Sequence, residues 1–288
     1  MMQKTPSLDI RPSHAPLGAE IVGLDLAQPL DEPTFRAIEA AYDTYTVLVF
    51  RQQRLAPEHL LQFARRFGPL EVSPRTQFAL PGYPEILLLS NIVDEQGRPI
   101  GNAEAGLTWH TDLSYTATPP RGSILYAVEV PVSAQGETLG ETLFVSTAAA
   151  YEALPASMQQ RLRGLRAIHR AGAKQYAQGS QLAEAVKDLP DVIHPVIRTH
   201  PVTGRRAVYV RAGECVGIVG MPAEEALPLI EELSEFVIRP AFMYRHQWQV
   251  GDVLMWDNCC AQHKAIKNYA LPQRRLMHRV TVNGSVPV

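Results

Sequence analysis

Apolar residues recur at helical spacing twice in the first seventy positions. In TFRAIEAAYDTY the residues Phe35, Ile38 and Tyr42 share one stripe, and the TVLVF that follows suits a buried strand. A second helix is predicted in PEHLLQFARRF, whose stripe of Leu60, Leu61, Ala64 and Phe67 opens at Pro57 and stops at Gly68-Pro69. Together these read as a small α/β unit. From residue 85 the pattern changes to β: EILLLS, GSILYAVEV, ETLFVS, RAVYV, AFMYRHQW, DVLMWD and RRLMHRVTV, separated by turns rich in Gly, Pro and Asp. Many short strands predict a sandwich or barrel. Two helical excursions interrupt them, STAAAYEALPASMQQRLRG and PAEEALPLIEELSEFV, with a polar stretch near 172–191 between. The expected architecture is mainly β with flanking helices, a single domain over 1–288 with a helical and polar lid-like insertion around 147–191. GETLGETL at 136–143 is a local duplication that lengthens a turn.

Composition supports one well-packed domain: of 288 residues, 46% are hydrophobic and 19% charged, too apolar for a disordered chain. The formal net charge of -2, without basic or acidic blocks, argues against nucleic-acid or anionic-membrane partners and favours a small molecule. MMQKTPSLDI has no apolar stretch behind its Lys, and no segment has the length of a bilayer span, so a cytoplasmic protein is expected. Cys215, Cys259 and Cys260 are too few for a disulfide framework, and reduced thiols are expected.

Candidate chemistry begins in LTWHTDLSY. His110 and Asp112 are two apart, and residues i and i+2 of an extended chain project from one face, so both can reach one ion. A second imidazole would complete the 2-His-1-carboxylate triad of oxygen-activating Fe(II), which leaves three metal positions open. His263, beyond the strand signal WQVGDVLMWDN, is the candidate third ligand. By itself HTD is a weak signal, compatible with a core or surface His-Asp pair. Cys259, Cys260 and His263 are close enough in sequence to raise zinc, although adjacent side chains point apart in extended backbone. His194 and His200, flanked by prolines, read as surface or loop histidines.

In RRLMHRVTV, Arg275 and Arg279 share a strand face with Met277. Turned inward, two guanidinium groups would each need an anion, such as the dianion 2-oxoglutarate and an acidic substrate. Turned outward, they would simply be solvated.

GAEIVGLDLAQPL, VLVFRQQRLAPEHLLQFARRFGPL, WHTDLSYTATPP, ETLFVSTAAAYEALP and GDVLMWDNCCAQHKAI followed by LPQRRLMHRVTV occur in the order found in one family. Over nearly the whole chain the sequence resembles the taurine dioxygenase and 2,4-dichlorophenoxyacetate dioxygenase family of Fe(II)/2-oxoglutarate oxygenases. The resemblance implies a double-stranded β-helix, or jelly roll, with iron on His110, Asp112 and His263. It implies that Arg275 and Thr142, rather than Thr138 of the duplicated GETL, hold the carboxylates of 2-oxoglutarate. It implies O2 as co-substrate, succinate and CO2 as products, hydroxylation of a substrate C–H, and a homodimer or homotetramer.

Arg279 looks like the residue that selects an anionic substrate: a sulfonate, carboxylate or sulfate ester. Ser73, Leu113 and Glu214 are further candidate substrate contacts. The sequence departs from the taurine enzyme at Ser73, where that enzyme has a His, and in YVRAGECVGIVGM, which offers Arg211, Glu214 and Cys215 in place of an Asn and an aromatic. Taurine itself is therefore not expected as the substrate. The retained Asp112 argues against a halogenase. A zinc hydrolase or lyase, or a non-catalytic barrel, on the same fold are the competing readings.

Overall fold

Strand β3, Val47–Phe50, is buried throughout because Val47 and Val49 enter one core while Leu48 and Phe50 enter another. Alternate side chains leave a strand on opposite faces, so a continuous branched apolar run fits a strand covered on both sides. In the computed structural model, which describes residues 8–73, 76–172 and 188–288, β3 lies within an eight-stranded sheet. Strands are numbered along the chain, and the sheet order is β1 (Asp9–Pro12), β2 (Ala19–Val22), β3, β14 (Val253–Asp257), β6 (Gly122–Glu129), β16 (Leu276–Val282), β5 (Tyr83–Ser90) and β4 (Ala79–Leu80). A smaller sheet has β7 (Thr142–Ser146) between β13 (Met243–His246) and β15 (Ala261–Ala265).

The two sheets enclose a core of Leu89, Leu125, Leu254, Trp256 and Met277 from the large sheet and Phe144 from the small one, the sandwich of a jelly roll. Helix α1 (Glu32–Tyr45), N-capped by Asp31 on the Thr34 amide, and helix α2 (Pro57–Arg65) cover the outer face. Ile38 and Leu60 are fully buried there, each contributing roughly 2 kcal/mol of burial. The first seventy residues do not form a unit of their own: β2 runs parallel to β3, and β3 hydrogen-bonds β14 from near the chain's end.

Between β7 and β13 the chain inserts α3 (Thr147–Glu152), α4 (Ala156–Leu162), β8 (Arg166–His169), β9 (Val192–Pro195), β10 (Ile197–Thr199), β11 (Arg206–Val208), β12 (Cys215–Ile218) and α5 (Ala223–Val237). The predicted single excursion after Ser146 is split into α3 and α4 at Leu154-Pro155. These elements share a separate apolar core that includes Leu162, Val208, Leu229 and Leu233. Most of the expected polar lid, residues 173–187, lies outside the described residues. No helix among the described residues is long and apolar enough to cross a membrane.

Candidate metal centre and active site

His263 sits on β15, opposite Phe144 of β7. His110 is joined to it by a single antiparallel bridge, in which His110 N donates to His263 O (3.1 Å) and His263 N donates to His110 O (2.9 Å). The two backbones are thus locked side by side, with ring centroids 4.1 Å apart. The sequence suggested that His110 and Asp112 share a continuous extended segment. Instead the bridge ends at His110, Asp112 opens a turn, and Leu113 has a positive φ of 46°. Such backbone costs a branched residue on the order of 1 kcal/mol and is retained where geometry is demanded.

One oxygen of Asp112, Oδ1, is 3.6 Å from His110 Nε2 and 3.9 Å from His263 Nε2. Both separations are long for hydrogen bonds. Atoms each about 2.1 Å from one ion can be up to roughly 4.2 Å apart, so the spacing fits ligands of a shared metal. All three ligand atoms lie within 4.8 Å of one another. The His110 ring is aimed by a contact of its Nδ1 with Thr108 O at 2.8 Å, which leaves Nε2 facing Asp112. His263 is fixed between Phe144, stacked at 5.8 Å, and Trp256 at 4.7 Å. Gly106 crowds this corner: a Cβ there would stand 3.3 Å from His110 Cε1.

The large sheet holds Asp112 from the other side. Ser123 Oγ on β6 donates to Asp112 Oδ2 at 2.8 Å, and Arg279 Nη2 on β16 reaches Asp112 Oδ1 at 2.8 Å and Ser123 Oγ at 3.2 Å. Burial pushes the Asp112 carboxyl up, but Arg279 and the flanking His263 and His110 outweigh it and hold it well below the usual carboxylate range. Ser123 was not identified from sequence. Its signal is a lone hydroxyl at the inward parity of GSILYAVEV, with Leu125 and Ala127.

Arg275, immediately before β16, is 6% exposed, so it does not belong to a solvated face. Burial pulls its guanidinium down, partly offset by Tyr269, and Nε has no hydrogen-bond partner. None of the ion pairs among the described residues gives it a carboxylate. Tyr269, which sequence reasoning missed, packs with Arg275 around Gly140, where a Cβ would meet the Tyr269 ring at 2.9 Å and Arg275 Cδ at 3.4 Å. Thr142 is buried on β7, opposite Ala265 and two positions from the partner of His263. Trp248 Nε1 donates to Thr142 Oγ1 at 2.9 Å, which leaves the threonine proton available to an acceptor. Thr138 is exposed in the preceding hairpin.

Two other expectations change. His194 and His200 are buried, at 2% and 3% exposure, rather than on the surface. His200 Nε2 lies 2.9 Å from Asp257 Oδ2, and His194 Nε2 lies 2.9 Å from Thr116 O. Cys259 groups with His200 and Asp257, not with His263, so the zinc set suggested by sequence is not assembled. Glu214 is buried behind the ligand turn, where Oε2 accepts from the Thr111 amide (3.4 Å) and the Ser114 hydroxyl (3.3 Å). Ser73 is half-buried beside residues 74 and 75, which lie outside the described residues.

The family profile of the taurine catabolism dioxygenase TauD, TfdA family matches residues 9–281. The chain is 35% identical to the alpha-ketoglutarate-dependent 2,4-dichlorophenoxyacetate dioxygenase of Cupriavidus pinatubonensis, over 96% of this chain and 97% of that protein. It is also 35% identical to pentalenolactone F synthase of Streptomyces avermitilis, over 92% and 90% respectively. The crystal structure of AAD-2 in complex with Mn(II) and N-oxalylglycine superposes with a TM-score of 0.80 at 29% identity, covering 98% of this chain and 99% of that one. With an unbroken match from β1 into β16 and the same jelly roll, the chain belongs to the TauD/TfdA family of 2-oxoglutarate-dependent dioxygenases.

Proposed function

We propose that this protein is an Fe(II)- and 2-oxoglutarate-dependent dioxygenase, acting as a single domain, that hydroxylates a C–H of a small anionic sulfonate, carboxylate or sulfate ester. The observation that carries this reading is the convergence of two imidazole nitrogens and one carboxylate oxygen in a chain whose buried Arg275 has no carboxylate partner among the described residues. A set of two nitrogens and one oxygen with open positions suits Fe(II), and since catalytic zinc can use the same set, it is the buried arginine suited to a co-substrate carboxylate that favours iron. Bound iron would couple oxidative decarboxylation of 2-oxoglutarate to insertion of oxygen from O2 into the substrate, with succinate and CO2 as products.

In this reading the chain's own residues bind and orient. Arg275 receives one carboxylate of 2-oxoglutarate, because a buried guanidinium left unneutralised is costly and a bidentate carboxylate satisfies it. Thr142 donates its free proton to the same ligand. Of the groups in direct reach of the metal and co-substrate in this reading, Arg279 is the cation not matched by 2-oxoglutarate, while buried Glu214 sits behind the ligand turn on the Thr111 amide and the Ser114 hydroxyl. Arg279 is the group placed to meet an anionic prime substrate, with Leu113 and Glu214 shaping the neighbouring turn and Ser73 contributing from the loop after α2. The dichlorophenoxyacetate named for one relative is a carboxylate and fits this class. A homodimer or homotetramer is the proposed assembly. Anaerobic titration of metal-free protein with Fe(II) and then 2-oxoglutarate tests the reading. A weak visible charge-transfer band in the wild type, absent from His263→Ala, is expected; full iron occupancy without a band would refute it.

A further inference from the structure

The Asp112 carboxylate has two oxygens, and the structure treats them differently. Oδ1 faces both imidazoles and carries the Arg279 contact, while Oδ2 is turned to the large sheet and taken by Ser123 at 2.8 Å. The direction of that bond is fixed by chemistry. Arginine can only donate, so at 3.2 Å from Arg279 Nη2 the Ser123 oxygen must accept. Its one proton is then committed to Asp112 Oδ2. Ser123 is fully buried on β6, opposite Thr281 of β16, so no water competes for the hydroxyl and β-sheet pairing fixes its Cα.

We infer that Ser123 is a positioning residue for the metal centre: its hydroxyl, polarised by Arg279, holds Asp112 Oδ2 away from the ion and makes Asp112 a one-oxygen ligand. This rests on the assignment of His110, Asp112 and His263 as metal ligands. The consequence is functional. A carboxylate free to rotate about its Cβ–Cγ bond can chelate through both oxygens and occupy a position that the co-substrate or O2 needs. Arg279 is thus tied to the metal ligand twice, directly at Asp112 Oδ1 and through the Ser123 hydroxyl at Oδ2.

The test uses Co(II) in place of iron, under anaerobic conditions and without turnover, on the full-length wild type, Ser123→Ala and Ser123→Thr. Affinity is read by titration, and coordination by the intensity of the visible Co(II) bands with and without 2-oxoglutarate. Ser123→Ala is expected to show weaker visible Co(II) bands, because a second carboxylate oxygen raises the coordination number, and to change Co(II) affinity by roughly tenfold or more. Ser123→Thr, which keeps the hydroxyl, is expected to restore both. If Ser123→Ala melts earlier as metal-free protein yet binds Co(II) with unchanged affinity and spectrum, Ser123 only supports the fold and the inference fails. If the wild type itself binds no Co(II), the ligand assignment fails, and the positioning role with it.

Discussion

Two histidine-aspartate clusters among the described residues bring ligand atoms close enough to share a metal, and they differ in what else surrounds those atoms. One is His110, Asp112 and His263; the other is His200, Asp257 and Cys259. In the second, the protein itself saturates the polar atoms. Asp257 Oδ2 meets His200 at 2.9 Å and Arg121 Nε at 3.6 Å, and Oδ1 accepts the Cys259 amide at 2.7 Å. His200 Nδ1 accepts the amides of Val202 and Thr203 at 3.1 and 3.0 Å, and Arg121 continues to Asp43 at 2.5 Å. This cluster ties α1, the end of β14 and the loop after β10 together. In the first, the ring nitrogens face one carboxylate oxygen at distances too long for good hydrogen bonds. Proximity of ligand types alone does not separate a site from a brace. Both carboxylates meet an arginine, so what separates the clusters is the imidazole Nε2, which is within hydrogen-bonding distance of its carboxylate in His200 and beyond that distance from Asp112 in His110 and His263.

The comparison breaks most plainly by removing one histidine from each cluster. His110→Ala is expected to lower succinate formation from 2-oxoglutarate on the order of a thousandfold or more while the metal-free protein melts within a few degrees of the wild type. His200→Ala should do the reverse. Leaving Asp257 with one fewer partner in a buried site is expected to remove about 3 kcal/mol in urea denaturation, while the protein that remains folded binds metal as before. Loss of metal binding by folded His200→Ala would show that the second cluster is not merely a brace.

Arg275 sharpens the comparison from a different side, because among the described residues it is a buried cation without a carboxylate, whereas Arg121 has two. Arg275→Ala is expected to raise the KM for 2-oxoglutarate by about a hundredfold, whereas Arg279→Ala, which also removes the cation beside Asp112, is expected to weaken metal binding together with the prime substrate. Equal effects of both variants on both ligands would end that division of labour.

How much of this was legible in the sequence follows the range of the interactions. Strands β3, β5, β6, β14 and β16 of the large sheet and helices α1 and α2 carry their periodicity locally, as in Val47–Phe50 and the stripe through Phe35, Ile38 and Tyr42. Spacing singled out His110 and Asp112 on the expectation of one extended segment, where the chain instead turns at Asp112, and strand parity singled out Arg275 and Arg279, although Arg275 lies just before β16. What stayed hidden depends on partners far along the chain. His200 reads as a loop residue until Asp257, 57 positions on, folds against it. Ser123 is an ordinary small residue until Asp112 and Arg279 arrive from two sides. Short pieces such as β4, with two residues, carry too little pattern to announce themselves.

A third group of buried histidines extends the comparison to imidazoles for which the geometry offers no carboxylate. His169 is held by stacking on Tyr209 at 5.5 Å and by Cys215 Sγ at 3.6 Å from Nε2, with His194 edge-on at 5.1 Å. Burial, and then repulsion from His194, pulls the His169 pKa down to about 3, and burial pulls His194 down as well. A histidine that is neutral when folded but titrates near 6.5 when unfolded makes the unfolded state bind more protons between those two values, so stability falls as the pH drops through that window. For His169 alone the loss is about 1.4 kcal/mol on going from neutral pH to about pH 5.5. Denaturation of the metal-free protein at both pH values, compared with His169→Phe, isolates this contribution, since the phenyl ring keeps the stack on Tyr209 and cannot titrate. The wild type is expected to lose about 1.4 kcal/mol more than the variant. Equal losses would mean that His169 reaches water or a partner when protonated, and that burial without a carboxylate does not distinguish it from His200.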